Sequence, residues 1–212
     1  MNDPARERLW NVALTLAVVT VFYNILEGLV SVYFGLTDET LSLFGFGLDS
    51  FVEVMSGIGV WHMIVRARRR GDEDRDAFER TALRITGVAF YVLAAGLVAT
   101  VGYNLYSGHR PETTFWGIVI ALVSIATMIV LMTAKLKVGR SLNSSAIVAD
   151  ANCTKTCVLL SVVLLAASVL YSLFKIGYID SVGALGIAWF AFREGGEALE
   201  QAKGKACCYR AD

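Results

Sequence analysis

Residues 41–70 read LSLFGFGLDSFVEVMSGIGVWHMIVRARRR. From Leu41 to Val65 the run is apolar, and it is long enough to cross a hydrocarbon core about 30 Å thick, which takes roughly 20 helical residues. It ends abruptly at Arg66, Arg68, Arg69 and Arg70. Inside it stand two carboxylates, Asp49 and Glu53, about a third to half of the way along, with Ser56 on the same helical face. The apolar run and its basic stop describe a membrane span. The carboxylate pair describes a span with work to do, because an ionisable side chain in hydrocarbon costs several kcal/mol unless it faces a cavity or a partner.

The rest of the chain repeats the pattern. The 212 residues are 56% hydrophobic with a mean hydropathy of +0.57, while the 18% that are charged fall in clusters between apolar runs. Six spans are expected near Trp10–Leu36, Leu41–Val65, Thr81–Tyr106, Phe115–Ala134, Ala146–Phe174 and Ile176–Phe192, the sixth being short. The fold class predicted is an all-α integral membrane protein. Residues 1–202 form a six-helix transmembrane domain, followed by a short cytoplasmic tail, 203–212, that carries Cys207 and Cys208. No cleavable signal is expected before Trp10. Placing the N-terminus, the 66–80 loop, the segment after helix 4 (Lys135, Lys137, Arg140) and the tail on one side gathers nearly all the cations. Of the 19 Lys and Arg, only Arg110, Lys155 and Lys175 fall elsewhere, once Arg84 at the start of helix 3 is counted with the loop before it and Arg193 at the end of helix 6 with the tail. By the positive-inside rule both termini are cytoplasmic, and the membrane is the plasma, or cell inner, membrane. The formal net charge of zero offers no field for nucleic acid. A tight turn is expected around Gly177, and after helix 6 only about a helical turn or two over Glu194–Ala202.

Four helices carry polar groups at helical spacing. Helix 5 has Asp150, Cys153, Cys157 and Ser161 in one stripe; helix 1 has Asn24 and Glu27; helix 4 has Met128 and Met132. Helices 2 and 5 run in opposite directions. Packed together, they place Glu53 level with Cys153 and Asp49 with Cys157. Two carboxylates and two thiolates make a four-ligand set suited to tetrahedral Zn²⁺. The sulfurs bias it toward soft or borderline ions such as Zn²⁺, Cd²⁺ or Cu⁺ and away from Mg²⁺ and Ca²⁺. Asp150, Asn24 and Glu27 are secondary ligand candidates. Asn24 and Glu27 read equally as glue between helices, membrane cysteines as inert packing, and the two methionines as core or lipid-facing groups. Lys155, about 200° around the helix from Cys153, is open to three assignments: a pair with Glu27, a pair with Asp150, or snorkelling.

The stretches SLFGFGLDSFVEVMSG, NSSAIVADANCTKTCVLLSVVLL and YIDSVGALGIAWFAFREGGEAL resemble the membrane domain of the cation diffusion facilitator (cation efflux) family. The opening Ala149–Asp150–Ala151 matches the family's helix 5 pattern. Its two ligand positions there fall on Cys153 and Cys157, and those of helix 2 fall on Asp49 and Glu53. Asp180 and the Glu194–Gly195 end also match. The resemblance implies a six-helix bundle, a homodimer, and export of Zn²⁺ or related cations in exchange for protons, with no resident cofactor. It departs from the family in having Cys/Cys on helix 5, and the usual cytoplasmic domain is not expected. Cys207 and Cys208 suit either a soft-metal collector or a silent tail.

Two other functions compete with a transporter. One is an intramembrane thiol–disulfide oxidoreductase using Cys153 and Cys157, which leaves Asp49 and Glu53 without a role and lacks the C-x-x-C spacing of such enzymes. The other is a non-transporting metal sensor or scaffold.

Overall fold

The computed structural model describes residues 4–38, 40–70, 75–107, 115–142, 144–176 and 178–203, and among these the regular structure is entirely α-helical. Six helices follow one another: α1 (Pro4–Thr37), α2 (Leu41–Arg70), α3 (Arg75–Ser107), α4 (Phe115–Ser141), α5 (Ser145–Phe174) and α6 (Tyr178–Ala202). Cys207, Cys208 and the expected turn at Gly177 lie outside the described residues. Five helices, α1 to α5, are long and apolar enough to cross a membrane. The sixth helix, α6, is the short one the sequence suggested, with its uncharged stretch lying between Asp180 and Arg193.

Two helix ends differ from expectation. α4 does not stop at Ala134 but continues to Ser141, so Lys135 belongs to a buried helical turn and not to a loop. α6 continues past Phe192 to Ala202 without a break, so the helical turns expected over Glu194–Ala202 belong to the same helix.

Apolar side chains cover the outside of the fold, as lipid demands, and its polar side chains are turned inward beside an apolar core. Phe22, Leu26, Leu29, Tyr33 and Leu36 of α1 face outward, as do Leu122, Val123 and Val130 of α4. Thr20, Asn24, Glu27 and Ser31 of α1 turn inward and are buried, as are Ser124 of α4 and Thr154, Ser161 and Ser168 of α5. An apolar core of Leu43, Phe46, Leu93, Leu97, Leu160, Leu164 and Ile187 packs between α2, α3, α5 and α6.

The principal pairings are α1 with α2, α4 with α5, and α3 with α6. α2 also touches α3, α5 and α6, which makes it the hub of the bundle. Glycines allow the α1–α2 approach: a Cβ on Gly35 would stand 2.6 Å from the Phe44 backbone nitrogen, and one on Gly47 2.8 Å from that of Val32. Backbones this close are the usual basis of helix association in lipid, where apolar burial alone gives no driving force.

The start of α2 is fixed from a distance. Helix N-termini leave four N–H groups without intrahelical acceptors. Here the Asp180 carboxylate of α6 accepts from the Leu41 N–H (2.7 Å) and the Ser42 N–H (3.1 Å), and from the Ser42 hydroxyl. A negative group at this end also complements the helix dipole. α5 ends where Lys175 enters the left-handed region (φ 55°), its N–H donating to Tyr171 O at 2.8 Å. This is the αL termination that usually falls to glycine.

Candidate metal-transport site

Asp49 and Glu53 sit one helical turn apart on α2 and are 2% and 4% exposed, within the span Leu41–His62. Opposite them on α5 is Cys157, also buried. Its thiol donates to Glu53 Oε2 at 2.8 Å and makes a longer contact with Asp49 Oδ2 at 3.6 Å. The antiparallel packing thus sets Cys157 between the two carboxylates. Cys157 thus keeps the contact with Asp49 that the sequence suggested, while its hydrogen bond goes to Glu53, which the sequence set level with Cys153.

Cys153 is on the same cavity. Its wall consists of Asp49, Glu53, Cys153 and Cys157 together with Phe90 of α3, Thr156 of α5 and Glu194 of α6. The space open to the centre of a water-sized sphere is about 10 Å³, enough for one small species. Both cysteines are free thiols. In this arrangement no three His, Cys, Asp or Glu side chains among the described residues are gathered closely enough to grip a metal ion at once. The side chains instead satisfy one another through the thiol–carboxylate contacts. Asp49 Oδ1 and Glu53 Oε1 nevertheless remain without hydrogen-bond partners, although buried. A buried carboxylate oxygen with no donor is costly, and two at one cavity are an invitation to a cation.

The secondary candidates divide. Glu27 is held by Tyr23, whose hydroxyl donates to Oε1 (3.0 Å), and by Ser50, whose hydroxyl reaches Oε2 (3.2 Å). Asp150 accepts from Lys135 in a buried ion pair of 2.8 Å, and Lys135 Nζ also donates to Thr154 Oγ1 at 2.9 Å. Asn24 is fully buried with neither amide atom partnered, but it does not line the cavity. Lys155 is on the exposed face of α5, and the cation paired with Asp150 is Lys135. Met128 is fully buried in a cluster with Leu131 and Cys157, while Met132 is half-buried. The side chain of Ser56 lies outside what the structure describes.

Three residues of the cavity wall, Phe90, Thr156 and Glu194, and the nearby Lys135 are not among the candidate ligands that the sequence marks. Lys135 was hidden among the basic residues that set topology. Its signal was its place in the row Ser124, Met128, Leu131, Lys135, Val138, all buried at helical spacing on α4. Glu194 was read as lying beyond the end of helix 6.

The profile of the cation efflux transmembrane domain matches residues 16–202. The chain belongs to the cation efflux family. The match spans all six helices and includes every residue of the cavity wall. Members of this family are metal-cation transporters and not enzymes, and five apolar helices set the protein in a membrane as a multi-pass chain. No curated protein matches the chain.

Proposed function

We propose that the protein exports a soft or borderline transition-metal cation from the cytoplasm, Zn²⁺ first and Cd²⁺ or Cu⁺ next, in exchange for protons. Asp49, Glu53, Cys153 and Cys157 carry the cation. The supporting observation is the convergence of Cys157 on both carboxylates at one buried cavity that Cys153 also lines.

The chemistry is a competition between protons and metal for the same lone pairs. Without metal, the Cys157 proton lies between sulfur and the Glu53 carboxylate. Thiolate and carboxylate ligands bind metal only when deprotonated, so loading releases protons and unloading takes them up. The Cys/Cys pair supplies soft donors, the Asp/Glu pair supplies charge, and the mixture suits Zn²⁺ or Cd²⁺ better than hard ions. In this reading both termini are cytoplasmic, the membrane is the plasma or cell inner membrane, and two copies form the working unit. Asp150, bound to Lys135, is left outside the coordination shell, and Glu27 serves α1–α2 packing.

Purified protein in liposomes, with a pH gradient imposed, should take up Zn²⁺, Cd²⁺ or Cu⁺, with a counterflow of protons. Asp49→Ala and the double variant Cys153→Ser/Cys157→Ser should each abolish that flux. Flux that persists in both variants would refute this site, and no flux in well-folded parent protein would refute transport of these ions.

A further inference from the structure

The cavity wall contains one acidic side chain outside the expected ligand set. Glu194 stands on α6, a helix whose main partner is α3, yet it faces the cavity formed by α2 and α5. Thr156 of α5 holds it there by donating its hydroxyl to Glu194 Oε1 at 3.0 Å. The adjacent Arg193 makes its ion pair with Glu197, at 3.1 Å on the exposed side of α6. Glu194 is half-buried, whereas Asp49, Glu53 and Cys157 are buried, so it forms the more accessible wall. Across the same cavity, Asp49 Oδ1 and Glu53 Oε1 are buried and without hydrogen-bond partners.

We propose that Glu194 is a third carboxylate of the transport site, contributed by α6, which captures a divalent cation at the accessible wall and raises the site's preference for divalent over monovalent metal. This rests on the transport site proposed above. A third oxygen donor adds charge and a hard ligand. That favours Zn²⁺ and Cd²⁺, while Cu⁺ is satisfied by the two sulfurs. Because the donor comes from α6, a bound cation ties the α3–α6 pair to α2 and α5.

The test is Zn²⁺ binding and Zn²⁺ flux by the full chain in its parent, Glu194→Gln, Glu194→Asp and Thr156→Val forms, with Asp49→Ala as reference. Gln keeps an oxygen to accept from Thr156 and removes only the charge. The expected result for Glu194→Gln is a Zn²⁺ Kd and KM raised about tenfold with Vmax within about twofold of the parent. Glu194→Asp should fall between the two, and Thr156→Val, which removes the hydroxyl that holds Glu194 at the cavity, should raise KM by a smaller factor than Glu194→Gln does. Unchanged KM in Glu194→Gln, or a loss confined to Vmax, would overturn the proposal. If Asp49→Ala abolishes binding while Glu194→Gln behaves as the parent, only this inference fails. If the parent binds no Zn²⁺, the transport site fails with it.

Discussion

Lys135 and Asp150 form a buried ion pair between α4 and α5, one turn of α5 from Cys153. Such a pair is neutral as a unit and costly when broken, since removing one member leaves an uncompensated charge in low dielectric. Lys135→Ala should therefore destabilise the protein by about 3–5 kcal/mol, seen as a lower midpoint in thermal unfolding in detergent. Lys135→Met combined with Asp150→Leu should recover most of that loss. A double variant no better than the single one would mean that the pair acts through something other than charge. A second prediction concerns sulfur. Cys157 touches both carboxylates and Cys153 neither by hydrogen bond, so Cys157→Ser alone should reduce Zn²⁺ transport more than Cys153→Ser alone. Equal defects would indicate that both sulfurs ligate equally. At this scale the sequence was informative where the residue type was improbable in lipid. Asp49, Glu53, Cys153 and Cys157 could be named from spacing alone, and the cavity contains all four. Lys135 could not, because a lysine near a helix end is ordinarily a topological signal.

Helices are placed by contacts that a one-dimensional pattern does not contain. Their number and approximate limits follow from apolar runs and basic stops. The ends of α4 and α6 do not, because both helices continue into polar sequence where hydropathy ceases to report on helicity. The cap on α2 is equally hidden, since Asp180 lies far along the chain from Leu41 and Ser42. Asp180→Ala should cost about 1–2 kcal/mol of stability. Because α2 carries Asp49 and Glu53, metal affinity should fall with it. Asp180→Asn, which keeps an oxygen for one N–H, should lose less of both. Measuring unfolding midpoint and Zn²⁺ affinity on the same samples checks the link, which an affinity untouched by Asp180→Ala would break. At Gly47, substitution by Leu would drive a side chain into Val32 and Ser31 of α1. Separation of α1 from α2 should then appear as loss of folded protein in gel filtration, while the same change at Gly96, where an added Cβ meets nothing within 4 Å, should be tolerated.

For the whole molecule, the inside-out distribution of polarity is what joins fold to function. The apolar exterior suits a bilayer, and among the buried polar groups α2, α5 and α6 each bring an acid or a thiol to one cavity. Membership of the cation efflux family was legible because the helix 2, 5 and 6 motifs lie at the expected places along the chain. The identity of the cation was legible only as a bias, since sulfur and oxygen donors together suit several ions. The depth relation between α2 and α5 was visible in outline, but their register depended on packing that brings Cys157 between the carboxylates. Direct observation of the ligand atoms decides the central claim. X-ray absorption at the zinc edge, on protein loaded with one Zn²⁺ per chain, should show a mixed shell with sulfur at about 2.3 Å and oxygen at about 2.0–2.2 Å. The sulfur contribution should vanish in Cys153→Ser/Cys157→Ser. A shell of nitrogen and oxygen alone in the parent protein would contradict the carboxylate–thiolate site.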